Sequence, residues 1–199
     1  MKYYEKLSLK LIDFLSKNLP SKSDEELEVI RYGIEVIFVN LFKYPILLIL
    51  AYILGIFNYT LITMVSFSLI RTFAAGMHAR KSWTCLLFSI LTFFSIVYAS
   101  KLVDFPLLIK NSLFLISFIL IILYAPADTE EKPYISKKLR KKLKILSLIM
   151  SVAILIISSL IDSKIISSIF MLSLFCESIL ITPFAYKLFN RRYRNYEYY

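Results

Sequence analysis

Apolar residues run along this chain in six long blocks parted by short polar breaks: Val36–Phe57, Tyr59–Ala75, Thr84–Ser100, Leu107–Tyr124, Ile145–Ile161 and Ile165–Tyr186. Each block holds 17 to 22 residues. At about 1.5 Å per residue, a helix of that length crosses a hydrocarbon core of about 30 Å, the shorter blocks sitting near the limit. A backbone in lipid must satisfy its own hydrogen bonds, so the blocks predict helices. The two-residue alternation of a barrel strand is absent. The expected fold class is therefore an all-α integral membrane protein with six transmembrane helices.

The first 34 residues follow a different pattern. They hold no uninterrupted apolar stretch of the length a signal peptide needs. Tyr4, Leu7, Leu11, Phe14 and Leu15 recur at helical spacing with Lys6, Lys10, Asp13 and Lys17 between them. That is the pattern of an amphipathic helix lying at the membrane interface. Pro20 ends it, and Ser23 or Asp24 is placed to cap a second helix leading into the first block. The expected organisation is one membrane domain over residues 1–199: an amphipathic region (1–34), a six-span bundle (36–186) and a Tyr-rich solvated or interfacial tail (187–199).

Charge adds orientation. Of the 24 Lys and Arg, 20 fall in the segments that share a side with the N-terminus, three (Lys101, Lys110 and Lys164) fall opposite, and Lys43 lies within the first block. Cytoplasmic segments carry such an excess. Both termini are thus expected in the cytoplasm, with the chain multi-pass in a cell membrane. The composition, 58% apolar with a net charge of +10, excludes a disordered chain and a disulfide-framed module. It contains no nucleic-acid recognition module. In a membrane protein this charge faces anionic lipid.

Chemistry concentrates in Arg71-Thr-Phe-Ala-Ala-Gly-Met-His-Ala-Arg-Lys-Ser-Trp-Thr-Cys85, which carries the sole histidine, His78. A cysteine attacks as thiolate, and an imidazole can take its proton. Ser82 is placed to cap the third span, which would put Cys85 in its first turn. There, free N–H groups favour a thiolate and can hold an oxyanion. Positions seven apart on one helix lie about 10 Å apart along its axis, beyond the roughly 3 Å a base needs. His78 and Cys85 therefore cooperate only if the chain turns between them, and Gly76 and Ser82 offer two places for it to turn. The plainer alternative is a packing cysteine and an interfacial histidine. One His and two separated Cys make no metal set, and no cofactor is called for.

Arg71…Gly76-Met-His78…Cys85 resembles the signature of the accessory gene regulator B (AgrB-like) family, bacterial membrane cysteine endopeptidases that process quorum-sensing propeptides. The resemblance extends to Arg31-x-Gly33-x-Glu35 with Asn40, to Tyr124-Ala-Pro-Ala-Asp-Thr-Glu-Glu-Lys-Pro133 with the basic run after it, and to Glu177…Pro183. Ala75 departs from it, standing where the family often has a second glycine. The resemblance implies Cys85 as nucleophile and His78 as base, on the cytoplasmic side. It implies a precursor with an amphipathic leader and an acidic tail, cleaved through a Cys85 thioester that a Cys or Ser of the signal segment resolves into a thiolactone or lactone ring. A homodimer is also implied.

Other polar residues carry paired readings. Lys137, Lys138, Arg140, Lys141 and Lys142 either set topology and touch anionic lipid or capture the acidic tail. Asp128 is either a solvated loop residue or the group that orients His78. Arg71 either holds a carboxylate or anchors at the interface. Cys176 reads as packing. Lys43 and Glu177 lie at similar depth, roughly 10–14 Å into the first and last spans, and their opposite signs make them candidates for an intramembrane ion pair. A small peptide transporter is the competing function. Yet only Pro45, Gly55 and Pro183 interrupt spans, and no repeat pairs them.

Overall fold

The computed structural model describes residues 24–77 and 82–198, and these form helices joined by short connections. The α-helices are α1 (Asp24–Ile53), α2 (Phe57–Ala74), α3 (Ser82–Leu102), α4 (Leu107–Tyr124), α5 (Lys137–Leu160), α6 (Lys164–Leu180) and α7 (Pro183–Leu188), and a 3-10 turn covers Asn195–Tyr198. The amphipathic segment expected before Pro20 lies outside the described residues. Among the described residues, α3 from Trp83, α4 and α5 are long and apolar enough to cross a membrane. Helix α2 has 18 residues with Arg71 in its last turn, and α6 has 17 with Glu177 inside.

The chain divides into two compact units, residues 1–50 and 51–199. In the first, α1 continues through Pro45, whose ring withholds one backbone N–H from the helix ladder. The Lys43 ammonium lies 4.8 Å from the centroid of the Tyr44 ring.

In the second unit, α6 is the central element, packed against α2, α3, α4, α5 and α7. Small hydroxyl side chains let these helices approach closely. Ser66 of α2 donates to Ser173 of α6 at 2.9 Å, and the Ser158 and Ser167 hydroxyls of α5 and α6 meet at 3.0 Å. The interior stripes of α2 and α5 hold Thr60, Thr63, Ser66, Ser147, Ser151 and Ser158, all buried. The outside is apolar: Leu91 is 65% exposed, Leu108 78% and Leu160 77%. Hydroxyls inside and leucines outside reverse the distribution of a water-soluble protein and match helix packing in lipid.

Two connections shape the end of this unit that holds the candidate chemistry. The segment after α2 runs beside the α4–α5 loop: Ala127 N–H donates to Ala74 O and Gly76 N–H to Ala127 O, each at 2.9 Å. That loop, with a cis Ala125–Pro126 peptide, in turn receives the C-terminal segment. The C-terminal segment is held against this loop at Arg191 and Asn195. Asn195 is buried, and Arg191 pairs with Glu131 at 2.8 Å and with Glu130 at 3.6 Å.

Candidate active site

Helix α2 ends at Ala74, and Ala75 leaves it with φ 56° and ψ −136°. An L-residue in that region carries backbone strain of about 1–3 kcal/mol, which glycine avoids. Gly76 follows with φ +125°. A Cβ on it would come 3.0 Å from Arg71 Nη1, 3.3 Å from Ile181 Cγ2 and 3.4 Å from Glu177 Oε1. Glycine is therefore called for by conformation, and the space beside it is tight. Ala75–Met77 is non-helical, and α3 begins at Ser82. His78 itself, with residues 79–81, lies outside the described residues.

Arg71 organises this turn. Its Nη1 donates to both Glu177 oxygens, at 3.2 and 3.1 Å, and its Nη2 donates to the carbonyl of Met77. Glu177 is completely buried, and the Arg71 side chain is 19% exposed. One guanidinium thus ties α6 to the backbone one residue before His78. Within this unit the partner that Glu177 has is Arg71. Arg71 takes the carboxylate-holding role, one of its two sequence readings.

Cys85 is the fourth residue of α3, half-buried and not in a disulfide. The first-turn N–H groups of Ser82, Trp83 and Thr84 have no acceptor within the helix. One turn on, Ser89 Oγ donates to the Cys85 carbonyl at 2.8 Å. Phe88 meets Phe189 edge to face at 4.9 Å, so the first turns of α3 pack against the segment after α7.

Asp128 is buried, not solvated. Its Oδ1 accepts from Asn195 N at 2.9 Å, and its Oδ2 from Tyr196 N at 2.7 Å and Tyr134 N at 3.4 Å. The carboxylate holds the C-terminal segment to the α4–α5 loop. The Tyr134 phenol beside it is pushed above its ordinary value, first by burial and then by the Asp128 charge. Tyr186, with no mark in the sequence to separate it from thirteen other tyrosines, is buried and donates its hydroxyl to the Asp128 carbonyl at 2.6 Å.

The basic run starts α5, where Ser136 Oγ accepts from Leu139 N. Lys137, Arg140 and Lys141 line a cavity with Lys144, whereas Lys138 and Lys142 are exposed outside it. Cys176 is half-buried inside α6.

Residues 8–181 match the sequence profile of a family described as Accessory gene regulator B. An AgrB-like protein of Clostridium acetobutylicum is 37% identical over 199 residues, covering 98% of this chain and 91% of the relative. An AgrB-like protein of Listeria innocua is 32% identical, covering 97% and 95%. The Accessory gene regulator protein B of Staphylococcus aureus is 35% identical over 154 residues, covering 77% and 81%. No solved structure matches the chain.

Proposed function

The chain belongs to the accessory gene regulator B family, and from that premise we propose that it is a membrane cysteine endopeptidase that trims and cyclises a quorum-sensing propeptide. Cys85 Sγ attacks the carbonyl carbon of the peptide bond before the acidic tail. His78 takes the thiol proton and passes it to the departing amine, and the oxyanion is held by the first-turn N–H groups of α3. A Cys or Ser of the signal segment then displaces Cys85 from the thioester, which closes the ring and restores the thiol. Exchange of one thioester for another is nearly isoenergetic, so release of the tail can draw the reaction forward.

The observation that carries this reading is the position of Cys85 in the first turn of a helix whose approach is clamped by Arg71, Gly76 and Glu177. A general base on the segment beyond Met77 needs a fixed point of departure, because misplacement of about 1 Å costs on the order of a hundredfold in rate. Six helices, α1 to α6, cross a bacterial cell membrane in this reading. The N-terminal amphipathic segment lies on the surface, and both termini and the site face the cytoplasm. The partners are the precursor, membrane lipid and a second copy of the chain, and the basic start of α5 offers cations to the precursor's acidic tail.

The test is co-expression of the precursor with native protein, Cys85→Ala, Cys85→Ser and His78→Ala, each checked for membrane insertion. Tail release and ring formation should vanish with Cys85→Ala and His78→Ala. Cys85→Ser should accumulate at most an ester-linked precursor adduct. Continued processing by inserted Cys85→Ala overturns the assignment.

A further inference from the structure

A cavity of about 380 Å³ lies between the end of α4, the first two turns of α5 and the C-terminal segment. Lys137, Arg140, Lys141, Lys144 and Arg194 line it. The first four recur at helical spacing on one face of α5. Among the described residues, Lys137, Lys141 and Lys144 form no ion pair with a carboxylate. Arg194 lies 3.3 Å from Glu197. The acidic residue on the wall is Asp128, and it already accepts from three backbone N–H groups. Three tyrosines, Tyr124, Tyr193 and Tyr196, complete the wall, and Arg140 stacks 3.6 Å over the Tyr196 ring. Like charges on successive turns repel, so this arrangement calls for an anion in the cavity.

The level of the cavity identifies the anion. Leu123 and Tyr124, which end the apolar helix α4, form one wall, and α5 turns apolar from Ile145 onward. Eight residues of basic helix cover about 12 Å, enough to pass through a headgroup layer of roughly 5–8 Å per leaflet. Tyrosines gather at the same level of a bilayer. From this placement we propose that the cavity is a binding site for the phosphate headgroup of an anionic phospholipid. It rests on α4 and α5 crossing the membrane and not on the peptidase reading. Lys138 and Lys142, outside the cavity, remain to meet the acidic tail of a precursor.

The experiment is native mass spectrometry of the full-length protein in detergent, titrated with dioleoyl-phosphatidylglycerol or dioleoyl-phosphatidylcholine. Inorganic phosphate and a glutamate-rich peptide serve as competitors. Phosphatidylglycerol should be retained and phosphatidylcholine lost. Lys137→Gln/Lys141→Gln/Lys144→Gln should weaken retention by about a hundredfold, at roughly fivefold per cation, whereas Lys138→Gln/Lys142→Gln should change it by no more than about twofold. In case the triple variant does not fold, thermal unfolding of the native protein gives a second reading. Phosphatidylglycerol should raise the transition, and phosphatidylcholine and inorganic phosphate should not. Equal retention of the two lipids, or equal loss from both sets of variants, overturns the site. Displacement by inorganic phosphate overturns it in favour of a free-phosphate site, and displacement by the peptide in favour of a peptide site. Loss of processing by Cys85→Ser with lipid retention intact separates this proposal from the peptidase reading.

Discussion

The Arg71–Glu177 clamp makes a prediction that separates folding from chemistry. Glu177 accepts two hydrogen bonds from one guanidinium nitrogen while the other nitrogen holds the Met77 carbonyl. Glu177→Leu leaves a guanidinium that is mostly enclosed, with no counter-charge. Breaking a buried pair from one side costs about 3–5 kcal/mol. Arg71→Met strands the carboxylate and should cost the same. The double variant Arg71→Met/Glu177→Leu strands neither charge, and such apolar replacements are often neutral or stabilising by about 1–4 kcal/mol. Stability should therefore return to within about 1 kcal/mol of the native protein. The Met77 carbonyl is still released, so precursor conversion should stay roughly a hundredfold low. The assays are equilibrium unfolding in detergent, followed by the fluorescence of Trp83, and conversion of the co-purified precursor. A single variant costing under about 1 kcal/mol would refute the pairing argument. A double variant with native conversion would make the clamp purely structural.

Three further outcomes follow from the same geometry. Ala75→Gly should raise stability by about 1 kcal/mol by relieving the strain at φ 56°, whereas Gly76→Ala should lower both stability and conversion, as read by thermal unfolding and precursor processing. Asp128→Ala deprives three buried or half-buried N–H groups of an acceptor, so the C-terminal segment should undock and trypsin should cut at Arg191, Arg192 and Arg194 at least about tenfold faster, for a loss of about 1–3 kcal/mol. The raised Tyr134 phenol keeps its proton in the folded chain after the unfolded chain has lost it; stability is therefore undiminished below about pH 10 and falls as pH rises above it, and Tyr134→Phe should flatten that decline in an alkaline unfolding series.

The sequence alone carries the elements and the place of the break. Apolar blocks become helices because lipid and water demand it locally, although the last block, Ile165–Tyr186, is divided between α6 and α7. The end of α2 near Ala75 and the start of α3 at Ser82 were legible for the same reason: a glycine and a helix-starting serine act on the chain beside them. Partners were not legible. Depth along a helix is one coordinate, and it does not point from Glu177 to Arg71. Which side chains meet also depends on how each helix is rotated and which helix lies beside it. The central place of α6 gave Glu177 to Arg71. Asp128 reads as a solvated loop carboxylate because two of its three N–H partners lie 67 and 68 residues away in sequence, at Asn195 and Tyr196. The basic run read as one patch, yet it divides between a cavity and open surface because only one face of α5 meets the docked C-terminal segment. Secondary structure was decided by each segment's own contact with solvent, whereas the clamp and the cavity exist only where segments distant in sequence are packed together.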